Sequence, residues 1–168
     1  MSDSHPPPPR ATRQFEKRRR NLPHWEDPGA VSFITVCARR QVGMVLARAD
    51  IADVIAAAIH HDDGRRYDLH AYVVMPDHFH MVVHPRPRGD GFVPLSEIMQ
   101  VLKSVTARRI NQLLGRSGRL WQDESYDRII RDEEEYGSKR EYIEANPVTA
   151  GLVERTADWP WTWPAPEW

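Results

Sequence analysis

Apolar residues follow two rhythms along this chain. Residues 31–38 (VSFITVCA), 67–75 (YDLHAYVVM), 78–84 (HFHMVVH) and 126–131 (YDRIIR) are short runs rich in β-branched and aromatic side chains, which reads as four strands. The link Pro76-Asp77 is so short that the second and third strands are expected to pair as a hairpin. A helical rhythm fills the gaps. Ile51, Val54, Ile55, Ala58 and Ile59 share one face of a helix predicted from a cap at Asp50 to about residue 61. Ile98, Leu102, Val105, Ile110 and Leu113 share the inward face of a second, which Ser96 is expected to cap and Gly115 and Gly118 to end. A third begins at Asp132 with Glu133, Glu134 and Glu135 in its first turn, as the helix dipole favours, and is predicted to stop at Asn146 before Pro147. The order β-α-β-β-α-β-α opens with a split βαβ arrangement. That predicts an α+β fold, a ferredoxin-like antiparallel sheet with helices on one face and an extra C-terminal helix.

The flanks differ from this body. Residues 1–30 form a basic, Pro-rich arm, with four consecutive prolines at 6–9 and then Arg18, Arg19 and Arg20. Residues 31–153 make the expected domain, and 154–168 a tail rich in Trp and Pro whose Trp159 and Trp161 are expected to pack back on the body. Cys37, the one cysteine, excludes an intramolecular disulfide and a thiolate zinc cage, and suits a reducing cytoplasm, where the protein is expected. No stretch is apolar over the roughly 18 residues that a bilayer crossing needs, and no signal-peptide core is present, so no membrane partner is expected.

A net charge of −1 over 168 residues speaks against a nucleic-acid binder of the strongly basic kind, but the sum hides its distribution. Across residues 97–119 five basic side chains oppose one acidic, whereas across 123–144 nine acids oppose four bases. Lys103, Arg108, Arg109 and Arg119, together with Arg18, Arg19 and Arg20 of the arm, are therefore the candidate phosphate contacts. A solvated helix face accounts for the same charges.

On the third strand, alternation puts His78 and His80 on one face while Phe79, Met81 and Val83 face the core. Two imidazoles so placed can converge on a metal ion; His84 continues the row, and a pair of satisfied surface histidines is the alternative. On the last helix Tyr142 and Asn146 lie four residues apart, hence on one face. A tyrosine oxygen can attack phosphorus when geometry and a metal assist, and an Asn carbonyl oxygen can complete a ligand set. Tyr142 packing on the sheet and Asn146 marking a helix end are the structural readings of the same residues. Tyr126 and Tyr136 are rival nucleophiles without an amide at that spacing. There is no G-x-x-x-x-G-K-[ST] loop and no G-x-S-x-G elbow, and Cys37 within a strand reads as packing.

Three segments, VVMPDHFHMVVH (73–84), GRLWQDESYDRIIRDEEE (118–135) and REYIEANPVTAGLV (140–153), resemble the single-tyrosine transposases of the His-hydrophobe-His superfamily, and within them the REP-associated tyrosine transposases. The resemblance spans about 22–163. It implies cleavage of single-stranded DNA beside a REP-type palindromic hairpin, with a 5′-phosphotyrosine link formed and a 3′-hydroxyl released. By motif His78 and His80 would bind the metal, magnesium or manganese, and Tyr142 would be the nucleophile. Asn146 falls where the insertion-sequence enzymes carry a glutamine metal ligand, one methylene longer. The partner implied is hairpin-bearing single-stranded DNA, and the active form a monomer or homodimer. A hairpin-binding protein that does not cleave, and a structural zinc protein, are the competing functions.

Overall fold

The computed structural model describes residues 29–163; the arm residues Arg18, Arg19 and Arg20 lie outside that range. Strand β1 (Ser32–Cys37) is followed by helix α1 (Ala49–Asp62), strands β2 (Tyr67–Val74) and β3 (His78–Pro85), a two-stranded ribbon of β4 (Pro87–Arg88) and β5 (Gly91–Phe92), helix α2 (Leu95–Leu113), strand β6 (Tyr126–Ile129), helix α3 (Glu133–Thr149) and strand β7 (Thr162–Trp163). The main sheet runs β6-β1-β3-β2-β7, antiparallel throughout. Its first four strands have the predicted ferredoxin-like order, and β2 and β3 form the predicted hairpin.

Strand alternation sorts side chains onto two layers. Ile34, Val36, Leu69, Tyr72, Val74, Phe79, Met81 and Val83 pack with Ile51, Ile55 and Ile59 of α1 and Ile98, Leu102 and Ile110 of α2 into one large core. The opposite face carries a small cluster, Ala71, Val73, Met75, Val82 and Ile143, the last from α3. Helices α1 and α2 thus share one face, as expected, and α3 lies on the other.

Several boundaries differ from the sequence reading, each for a local reason. Asp50 does not cap α1: the helix starts at Ala49 from an extended Arg48, and both Asp50 oxygens accept from the Arg48 guanidinium at 3.2 and 2.8 Å. Ser96 does not cap α2, because Pro94 is the N-cap and its carbonyl accepts from the amides of Glu97 and Ile98. The buried line of α2 is Ile98, Met99, Leu102, Thr106 and Ile110, so Val105 flanks it and Leu113 is exposed. Thr106 holds its place by donating to the Leu102 carbonyl at 2.7 Å and accepting from Trp121 Nε1 at 2.9 Å.

Helix α3 begins as predicted, with Asp132 accepting from the Glu135 amide at 2.8 Å, but it runs through Pro147 to Thr149. Pro147 removes one ladder bond in the last turn, where the cost is small, and its ring is buried. The stop is Gly151, at φ +69°, with the amides of Ala150, Gly151 and Leu152 returning to the Asn146, Val148 and Pro147 carbonyls.

The tail packs back and adds a strand that periodicity does not reveal. Strand β7 pairs with Tyr72 and Val73 of β2. Trp159 Nε1 donates to the Val74 carbonyl and Trp161 Nε1 to Asp53 Oδ1, each at 2.9 Å, and the Val74 amide donates to the Trp161 carbonyl. No helix among the described residues is long and apolar enough to cross a membrane.

Candidate active site

The polar side chains of the α3 face gather over the middle of the sheet. In the β1–β3 register Thr35 lies opposite His80 and Cys37 opposite His78. Thr35 Oγ1 and His80 Nδ1 are 2.8 Å apart, and His78 Nδ1 lies 2.6 Å from Asp77 Oδ1. With each Nδ1 held by a neighbour, the rings are oriented so that the two Nε2 atoms meet 3.1 Å apart. His80 is 5% exposed. Burial first, then the nearby His78 and Lys139 charges, push its pKa down to about 3, with Asp77 opposing, so the ring is neutral at physiological pH.

Helix α3 brings Tyr142 to this pair. Its ring centroid is 5.3 Å from that of His80 and 6.0 Å from that of Phe33, and the side chain is half exposed. Phe33 stacks on His80 at 5.2 Å, forming an apolar platform beneath imidazole and phenol. The Lys139 ammonium lies 5.0 Å from the Phe33 centroid and 5.9 Å from that of Tyr142. Asn146 follows Tyr142 by one turn, and its amide has a buried nitrogen without a hydrogen-bond partner. The two ends of an amide exchange by a half turn, so the same position can present the carbonyl oxygen.

These donors fit a divalent ion. Two nitrogens each about 2.1 Å from an octahedral ion and at right angles stand about 3.0 Å apart, close to the spacing of the Nε2 pair. With an amide oxygen as third donor, the remaining positions of such an ion would be open to water and phosphate oxygens. Among the described residues no three His, Cys, Asp or Glu side chains converge as a metal cage.

The rival tyrosines occupy other places. Tyr136 lies 3.0 Å from His70 Nδ1 through its hydroxyl, alongside His84 rather than at the Nε2 pair. Tyr126 is exposed on β6 opposite Thr35, on the face of the site but one strand further out than β1. Of the candidate phosphate contacts, Arg108 and Arg109 are exposed on α2, in the layer across the sheet from the histidines. Lys103 gives its ammonium to the Gln122 and Asp123 carbonyls at 3.0 and 3.3 Å, which ties it to that loop. Arg119 shares Asp123 with Arg39. Sequence reasoning missed Phe33, Thr35, Asp77 and Lys139. Alternation on β1 places Phe33 and Thr35 on one face, but only strand register shows what they touch.

Comparison with known proteins bears on the family and the fold. A family model described as "Transposase IS200 like" matches residues 31–146. A putative REP-associated tyrosine transposase of Haemophilus influenzae is 26% identical over 102 residues, covering 57% of this chain and 58% of its own. The REP-associated tyrosine transposase of Escherichia coli K12 is 29% identical over 98 residues, covering 58% and 54%. The chain thus matches a little over half the length of these curated relatives. A solved structure of a REP-associated tyrosine transposase bound to a REP hairpin superposes with a TM-score of 0.63 at 26% identity, over 89% of this chain and 82% of that one. The family match alone takes in both histidines, Tyr142 and six of the seven strands, and on that ground the chain belongs to the IS200-like transposase family.

Proposed function

We propose that this protein is a metal-dependent endonuclease and strand transferase that cuts single-stranded DNA beside REP-type hairpins through a 5′-phosphotyrosine intermediate. The observation that carries the reading is the meeting of Tyr142 with the His78–His80 Nε2 pair on the polar face of the sheet. The hairpin partner rests on the relative solved with one. His78, His80 and Asn146 would hold the ion, and a bound magnesium or manganese supplies a Lewis acid that polarises the scissile phosphate. The Tyr142 oxygen forms a bond to phosphorus as the P–O3′ bond breaks; the phenolic proton passes to water, and the released 3′ oxygen takes one up. The reverse attack by a 3′-hydroxyl rejoins strands. Thr35 and Asp77 keep the two imidazoles in place, and Phe33 keeps water from beneath the phenol.

The test uses hairpin oligonucleotides from the DNA flanking the gene, labelled and incubated with Mg²⁺ or Mn²⁺. A covalent protein–DNA band is expected with wild type and is expected to vanish in Tyr142→Phe and His80→Ala. A band that survives Tyr142→Phe but is lost in Tyr126→Phe or Tyr136→Phe would move the nucleophile. Salt-sensitive hairpin binding with no band for either metal would make the protein a binder that does not cut.

A further inference from the structure

Helix α3 carries five glutamates and two bases. Arg140 lies 3.4 Å from Glu144, but Lys139 has no carboxylate partner among the described residues. Its Nζ sits instead over Phe33, beside the Tyr142 ring, and its charge is felt at His80. Lys139 and Tyr142 are three residues apart, so one helical face delivers both side chains to the same platform. A lysine held over aromatic rings in a half-buried position has lost part of its hydration and gained no counter-ion. An arriving phosphodiester would supply the missing negative charge, and a phosphate under attack by Tyr142 must lie within reach of both.

We propose that Lys139 is a catalytic residue: its ammonium binds a non-bridging oxygen of the scissile phosphate and stabilises the charge that gathers there as the Tyr142 oxygen bonds to phosphorus and the P–O3′ bond breaks. This rests on the cleavage reading given above. No further reactant is needed, since the lysine stays protonated and only the phenolic and 3′-hydroxyl protons move. Because the contact strengthens as charge develops, its loss falls on the rate of the bond-making step more than on binding.

The experiment measures single-turnover formation of the covalent adduct by wild type, Lys139→Met, Lys139→Gln and Lys139→Arg, after the wild-type cut has been mapped. Methionine keeps the apolar stem without the charge, and arginine restores the charge. Lys139→Met is expected to slow adduct formation by about 10²-fold at saturating DNA, with little change in half-saturation and an unchanged melting temperature. Lys139→Arg is expected to recover most of that rate. A second oligonucleotide carries a neutral methylphosphonate at the scissile position, which removes the charge that the ammonium would meet. On it, wild type and Lys139→Met are expected to react at rates within a factor of about three of each other. A methionine variant as fast as wild type on the natural phosphate, or a deficit of equal size on both substrates, overturns the assignment and leaves Lys139 a packing residue. The glutamine variant gives the same comparison if methionine disturbs folding. Absence of any adduct with wild type would instead remove the cleavage reading, and the role of Lys139 with it.

Discussion

On one face of the sheet, two helices and strands β1, β2 and β3 bury a continuous apolar cluster that includes Phe79, Ile34, Ile55 and Ile98, all fully enclosed. On the other, α3 rests on the strands through Ile143, and the surroundings are histidine, threonine, tyrosine and lysine. The strands are the same; only the parity of the residue differs. Odd-numbered positions of β3 such as Phe79, Met81 and Val83 build the fold, and even-numbered ones such as His78 and His80 build the site. A rigid core thus presents polar groups that would otherwise have to be ordered at their own entropic cost.

If the faces differ in this way, damage to them should differ in size and reach. The largest effect is expected from Phe79→Ala, which should cost about 3–5 kcal/mol and lower the denaturant midpoint of the whole domain. Ile143→Ala should cost about 2 kcal/mol and act locally: hydrogen exchange should speed up in α3 while β1 and β3 amides keep their protection. Equal loss of protection in both would make α3 part of the same cooperative unit and erase the contrast.

Acid probes the polar face more gently. His80 has a folded-state pKa near 3 and an ordinary value near 6.5, so the unfolded chain binds more protons between these limits. The stability that the neutral ring contributes is present above about pH 6.5 and is lost as pH falls toward 3. Metal-free protein should therefore lose about 2 kcal/mol between pH 7 and 5, with the loss reduced in His80→Gln. A denaturation series that is flat across that range in wild type would contradict it. The smallest change in stability, within about 0.5 kcal/mol, is expected from the double substitution Arg108→Gln and Arg109→Gln on exposed α2. If those arginines meet phosphate, the salt dependence of hairpin binding should flatten by a log–log slope of roughly 1–2. An unchanged slope would assign the α1/α2 face to the fold alone.

What could be read from the sequence follows the range over which each signal acts. Periodicity is local, and it located four strands and three helices within a few residues, together with the shared face of His78 and His80. The i, i+4 spacing of Tyr142 and Asn146 is local as well. Pro147 misled because a proline near a helix end costs one bond, whereas the true stop at Gly151 depends on a positive φ. Strand β7 is two residues long, and no periodicity can mark it. Asp50 and Ser96 are sound capping residues by type, but Arg48 and Pro94 took the positions first. Thr35, Phe33 and Lys139 join the site only once β1 is in register with β3 and α3 lies across both, which is tertiary information.

Strand β2 sits one place in from the edge of the sheet, and its outer side is occupied along most of its length. The Tyr67 carbonyl accepts from the Gly64 amide, the Leu69 amide donates to Asp63, and Tyr72 to Val74 are covered by β7 and Trp161. The other border is β6, whose Tyr126, Asp127 and Arg128 are exposed. Backbone left open at a border is what a foreign strand would add to, and charged side chains discourage such addition. A neighbouring chain that added to the sheet at β6 would lie next to Thr35, with only β1 between it and the histidines, so self-association there and access of DNA to the site would compete for the same ground.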